Sequence, residues 1–234
     1  MRSSPESPYY KLQKESWDAY ISMQRKWNKP DILLVNGDCI EGKQRKQGGA
    51  ELIINDRNVQ ADMAVDCIRG WKAKNILMTY GTKYHVGDEA EDFEYSIAQK
   101  VNAKIAGKLY FETEGMVIEA RHKVSRSIIP HGRATPLLRD AMWNTLKAAE
   151  EEEPRADIII RSHVHYHLWV ATPKKIMFTT PALQLARGRF GSRECVGEVH
   201  WGAIRLKLHK GQVVGKDVKI WNLTANTPEV FKIK

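Results

Sequence analysis

The sequence predicts a layered α/β sandwich in one domain, and three observations predict it. Ile32–Val35, Asn75–Tyr80 and Ile158–Ile160 are short apolar runs that each lead directly into a loop rich in Gly, Ser or His. Such runs mark strands covered on both faces. Stretches with helical spacing alternate with the strands through the first two thirds of the chain. The last third turns instead to polar–apolar alternation, the mark of an antiparallel pair with one face in water.

In chain order, Lys11–Trp27 places Leu12, Trp17, Tyr20, Ile21 and Trp27 near helical spacing, and Pro30 lies just past its end, so a helix is expected there. The strand Asp31–Asp38 follows. Cys39–Glu51 is a polar, Gly- and Lys-rich loop. Asn55–Lys72 is expected to be a helix buried through Val59, Met63, Val65, Ile68 and Trp71. The strand Asn75–Tyr80 runs into Gly81–Gly87, and Glu91–Val101 returns to helix. Leu109–Glu112 and Met116–His122 form a hairpin around Glu114-Gly115. Ser125–Gly132 is a loop, Pro136–Glu152 a helix, and Leu168–Ala171 and Lys175–Thr179 short strands. After a basic loop at Ala186–Arg193, Val199–Leu208 and Gln212–Trp221 make a second hairpin hinged at Lys210-Gly211.

Composition narrows the function classes. With 234 residues, 42% of them hydrophobic, the chain can bury a full core. No apolar run approaches the roughly 18 residues of a membrane span. The first residues are polar and lack the apolar core of a secretion signal, which makes the cytoplasm the expected compartment. Cys39, Cys67 and Cys195 form no paired spacing and are expected to be reduced thiols. A net charge of +9 and a pI near 9.4 favour an anionic partner, a phosphate compound or nucleic acid.

The chemistry is concentrated at strand ends. Asp38 follows the first buried strand in the run DILLVNGDCIE. Far downstream, DIIIRSHVHYH carries His163, His165 and His167 after another buried strand. On an extended segment these alternate residues would face one side. His85 follows the second strand, and His122 or His131 follows the hairpin. A carboxylate with several neutral imidazoles suits Mn, Fe or Zn better than Ca or Mg.

The ordered series GDCIE, GTKYHVG, a strand-end His and SHVH resembles the calcineurin-like metallophosphoesterase family, whose motifs run DxH, GDxxD/E, GNHD/E, a single H and GHxH. It is most similar to the phage and prokaryotic branch with GTxxHVG in place of GNHE. The resemblance spans Asp31 to Pro181. It implies a four-layer αββα sandwich and a phosphoesterase in which two divalent metal ions, Mn with Fe or Zn as alternatives, hold a bridging hydroxide that attacks a phosphate ester. By position it makes Asp38 the bridging ligand. His163 and the strand-end His, either His122 or His131, would bind one metal and His165 the other, with His85 as general acid. Glu41 would support these groups, and Thr82 stands near the family's Asn position. Outside the family motif, His167 reads as a supporting or surface residue, and Arg187 and Arg189 of the basic loop as phosphate-holding or simply solvated. The family's leading DxH strand has no counterpart before the first helix. The expectation is therefore a domain incomplete at its N-terminus, or a binding module on the same fold with a degraded metal site. Substrates in view are phosphate esters, nucleic acid among them.

Overall fold

The computed structural model describes residues 10–43, 49, 52–86, 92–127, 129–184 and 198–221. Its elements in chain order are α1 (Tyr10–Lys26), β1 (Ile32–Asn36), α2 (Arg57–Arg69), β2 (Asn75–Thr79), α3 (Lys83–Val86), α4 (Phe93–Lys100), β3 (Lys104–Ala106), β4 (Leu109–Thr113), β5 (Met116–Ala120), α5 (Thr135–Ala149), β6 (Ile158–Arg161), β7 (Leu168–Ala171), β8 (Ile176–Thr179), β9 (Trp201–His209) and β10 (Gln212–Trp221). The fold is a mixed α/β one. No helix among the described residues is long and apolar enough to cross a membrane.

Strand β1 pairs in parallel with β2, and β2 with β3, giving a sheet of order β1-β2-β3. A second, mixed sheet has the order β4-β5-β6-β8-β7. The third is the antiparallel hairpin β9–β10. Side-chain alternation assigns the layers. Leu33 and Val35 of β1 pack with Ala61, Val65 and Ile68 of α2 and Ile97 and Ala98 of α4. Leu34, pointing the other way, meets Ile118, Ile158, Ile160 and Phe178 of the second sheet. Ile159, between the two inward isoleucines, packs instead on Leu137 and Ala141 of α5. The order across the molecule is thus helices, sheet, sheet, helix, an αββα sandwich, with β9–β10 resting Ile204, Leu206 and Leu208 against the same inner core.

Local chemistry accounts for the element ends. Asp56 caps α2 by accepting from the Asn58 and Val59 amides, and Asp92 caps α4 by accepting from Tyr95, which satisfies backbone donors that the helices leave unpaired. Both hairpins turn on a residue with positive φ followed by glycine, Glu114-Gly115 and Lys210-Gly211, as a two-residue hairpin turn needs. The two tips touch, the Gly211 amide donating to the Glu114 carbonyl at 2.6 Å. α1 adds a tryptophan-rich cluster of Trp27, Trp71 and Trp201 around Tyr20. The Tyr20 hydroxyl accepts from Trp71 Nε1 and donates to the Cys67 carbonyl, so that cluster is specified by polar partners as well as by area.

Three segments differ from expectation. The three-residue β3 is too short and too polar to read from the sequence. His85 lies on the single turn α3 rather than in an open loop. The run from Ser162 to His167 is not a strand, which changes how its histidines point.

A candidate metal centre at the strand ends

The ends of β1, β2, β5 and β6 come together, and Asn36 is the side chain that joins them. Its amide donates to Ser162 Oγ at 2.7 Å and to the Arg121 carbonyl at 3.3 Å. Its side-chain oxygen accepts from Thr79 Oγ1 at 2.8 Å. Its backbone carbonyl accepts from His122 Nδ1 at 2.7 Å. Glu94 of α4, fully buried, ties two further loops by accepting from the Cys39 amide at 3.1 Å and the Gly81 amide at 2.6 Å. Burial, the largest influence on Glu94, raises its pKa, so those two amide donors matter to its staying charged.

These supports converge on Asp38, His122 and His163, each of which offers one ligand atom within 4.8 Å of the others. Asp38 Oδ1 is occupied, accepting from the Thr82 amide at 2.6 Å and Thr82 Oγ1 at 3.1 Å. Oδ2 points toward the histidines. It stands 2.9 Å from His122 Nε2 and 3.9 Å from His85 Nε2. Although His122 Nε2 is that close, both it and Asp38 Oδ2 are buried without a hydrogen bond. His122 and His163 meet ring edge to face at 5.3 Å.

Two glycines make this approach possible. Gly37 has φ +81°, and a Cβ there would lie 2.7 Å from His122 Nδ1. A Cβ on Gly81 would lie 2.2 Å from Asp38 Oδ1 and 2.3 Å from the Asp38 amide. Asp38, His163 and His165 themselves have left-handed φ values of 56°, 71° and 59°, a conformation that costs side-chain-bearing residues about 1 kcal/mol or more. Concentrated strain of this kind is a frequent feature of functional sites.

Electrostatics within the group are uneven. Burial works against the Asp38 carboxylate, but hydrogen bonding and charge from His122, with help from His85 and Thr82, prevail and hold its pKa near 2. Burial likewise opposes a charge on His122, yet Asp38 raises its pKa. Burial pushes His163 down, aided by the His122 charge. His165 is pushed to about 4 by burial and then by His163 and His85. A carboxylate held ionised beside His163 and His165, both held toward the neutral form, is a donor set suited to a borderline divalent cation once the proton on His122 is displaced.

The sequence-predicted residues separate into groups. Asp38, His122 and His163 come together, with His85 beside them and half-buried His165 within reach of their charges. His131 is exposed on the turn Pro130–Gly132, outside the cluster. Expecting His163, His165 and His167 to face one side fails for His167. The left-handed residues at 163 and 165 break the alternation, and His167 donates through Nδ1 to the Thr179 carbonyl at 2.7 Å while packing on Phe178. The Glu41 carboxylate accepts from Gln184 at 2.7 Å, and its carbonyl lies 3.2 Å from His85 Nδ1. Thr82 bonds Asp38 directly. Arg187, Arg189, Cys195 and the basic loop residues Arg45 and Lys46 lie outside the described residues. Asn36 and Glu94 were not singled out by sequence. Asn36 carried a faint signal, a polar residue closing an apolar run immediately before Gly-Asp.

The sequence matches no family model, and no curated protein matches it. Among solved structures, the chain is similar to a Vps29 double mutant from Entamoeba histolytica at 12% identity, covering 86% of this chain and 89% of that one with a TM-score of 0.45. A structure described as a novel archaeal phosphodiesterase is 11% identical over 68% of this chain and 76% of that one, with a TM-score of 0.42. A predicted phosphoesterase from Streptococcus pneumoniae is 15% identical over 88% and 91%, with a TM-score of 0.35. At these scores the likenesses carry no weight on activity, which has to be read from the side chains.

Proposed function

We propose that the chain is a metal-dependent phosphoesterase whose centre is Asp38, His122 and His163. The observation that carries this reading is the contact between His122 Nε2 and Asp38 Oδ2. His122 Nδ1 faces a carbonyl, so it must be the protonated nitrogen. In the neutral ring Nε2 is then an acceptor, aimed at a carboxylate oxygen that is also an acceptor. Two buried acceptors 2.9 Å apart repel unless a cation lies beside both. A proton on His122 is one solution and a divalent metal the other, and the third ligand atom from His163 favours the metal. The donor set fits Mn, Fe or Zn.

A metal held there would neutralise phosphoryl oxygens and acidify a bound water. The chain's own residues do the rest. Thr82 fixes one oxygen of Asp38 and leaves the other free to bind. Asn36 orients His122 through its carbonyl, a constraint that typically matters 10- to 100-fold, by order of magnitude, in metal affinity. His85 faces Glu41's carbonyl through Nδ1 and presents Nε2 to the centre, where it can give a proton to the departing alkoxide or take one from water. Lys123, exposed and close enough for its charge to act on His163, adds positive potential for an anionic ester. With the net charge of +9, that ranks nucleotides and nucleic acid first among substrates, and a second cation would draw on Asp38 and His165.

The test is hydrolysis of an aryl phosphodiester by purified protein supplied with Mn2+, alongside chelated protein and the variants His163→Ala and His85→Asn. Turnover that needs metal and is lost in His163→Ala is expected. Metal binding without turnover would identify the alternative reading, a binding module on the same fold.

A further inference from the structure

Helix α5 buries Pro136, Leu137, Ala141 and Asn144 against the second sheet. Its other side carries Leu138, Met142 and Leu146 at i, i+4 and i+8, flanked by Trp143, and these are 45%, 52%, 46% and 52% exposed. Residues at that spacing form a continuous ridge along a helix. The smaller Thr145 and Ala149 run beside it and are also exposed, leaving room for a ridge from elsewhere. Together the four large side chains present on the order of 400 Å² of apolar surface, the size of the largest apolar patch on a typical monomer, which is often functional.

We propose that a second copy of this chain covers this face, with the two α5 helices antiparallel about a two-fold axis near Met142. Charge identifies the occupant. Arg139 lies exposed near the start of the helix, and Glu150, Glu151 and Glu152 lie exposed at its end. Acidic residues at a helix C-terminus oppose the helix dipole; Lys147 offsets Glu152 at 3.6 Å, and Glu150 and Glu151 gain from a cation beyond the helix. An antiparallel pair brings the arginine end of each helix toward the glutamate end of the other, and Leu138 toward Leu146. A two-fold interface has to be complementary to itself in this way. An anionic membrane is the poorer match, because the glutamate-rich end would be repelled and membrane-surface helices flank their apolar face with Lys and Arg. The ridge supplies about half of the roughly 800 Å² per partner of a stable interface, so the association is weak and depends on concentration.

Sedimentation velocity of the intact chain over a hundredfold concentration range tests this. The sedimentation coefficient should climb from monomer to dimer, less steeply in high salt. Met142→Glu and Leu146→Glu should stay monomeric at every concentration while keeping the parent's circular dichroism and metal binding. Met142→Cys, near the axis, should form a disulfide-linked dimer under oxidation, whereas Tyr95→Cys, on the exposed face of α4, should not. Arg139→Glu should weaken the dimer, and Arg139→Glu with Glu150→Arg should restore it. A parent chain that remains monomeric throughout overturns the proposal and assigns the face to a different protein. A dimer unaffected by Met142→Glu overturns it equally.

Discussion

Gly81 lies against Asp38 so closely that a Cβ at position 81 would be 2.2 Å from Oδ1 and 2.3 Å from the Asp38 amide. The clash involves backbone, so no rotation of the carboxylate relieves it. The absence of a side chain at the end of β2 is therefore what lets the end of β1 present a ligand. Gly81→Ala should displace the Asp38 loop, lowering metal affinity at least tenfold and costing about 1–3 kcal/mol, the usual range for forcing atoms into a packed site. Gly107→Ala, whose Cβ would meet nothing within 4 Å, is the matched control. Calorimetric metal titration and thermal melts on both variants decide it, and equal affinities would show that the loop adapts.

The ligands themselves should follow a hierarchy. Asp38→Asn and His163→Ala each remove a ligand atom and should leave protein that purifies with little transition metal, as read by elemental analysis. His131→Ala, altering an exposed histidine outside the cluster, should retain the parent's metal content. Asn36→Ala should fall between, because it removes ties to Ser162, Arg121 and Thr79 but keeps the backbone carbonyl that receives His122. Metal content unchanged in Asp38→Asn would refute the assigned centre.

Much of this arrangement was legible in the sequence, for a physical reason. Buried parallel strands write themselves as uninterrupted apolar runs, so β1, β2 and β6 and the polar residues at their ends could be found from DILLVNGD, NILMTYGT and DIIIRSH. Rules of alternation failed only where the backbone leaves the extended region, at His163 and His165, and nothing in a residue's identity announces a left-handed φ when it is not glycine. Asn36 and Glu94 act through partners remote in sequence, from Asn36 to Ser162 for instance, and such relations exist only once the layers have stacked. His122 and His131 are alike by type, and only the strand ending at His122 favours it in the sequence. The strand end that delivers one to Asn36 and the turn that exposes the other separate them.

Asp140 belongs to a buried network on the helix side of the second sheet. Arg161, 1% exposed, donates to Asp140 through Nε at 2.7 Å and pairs with fully buried Glu119, while Asp140 also accepts from Arg121 at 2.9 Å. Arg121 and Arg161 directly precede His122 and Ser162, so the network braces the two strands that deliver ligands. Removing Glu119 leaves buried Arg161 with Asp140 alone, which it shares with Arg121, and Glu119→Ala should lower stability by about 3 kcal/mol, the low end for a broken buried pair. Adding Arg161→Met to Glu119→Leu should recover part of that loss by removing both charges. Urea unfolding of the single and double variants gives the comparison, and a double variant as weak as Glu119→Ala would contradict it.

Acid sensitivity of the metal-free protein provides a further check, and the contributing groups act in separate pH windows. His165 is held to about 4, and burial also lowers His163 and His167. For each of these the unfolded chain takes up its proton first, near pH 6.5, so stability present above that pH is lost as pH falls toward the folded value. His122 has the opposite sign, since its folded pKa is raised. Its contribution is complete below pH 6.5 and disappears only as pH rises through the folded value, so it does not offset the others between 6.5 and 4. Asp38, held near 2 from an ordinary 3.8, adds its loss only below about pH 4. His165 alone should therefore cost about 2 kcal/mol by pH 5, at 1.36 kcal/mol per pKa unit. Urea midpoints of chelator-treated protein should fall steadily from pH 6.5 to 5, and His165→Gln should flatten that slope. An identical slope in the variant would show that His165 is solvated and free to protonate in the folded chain.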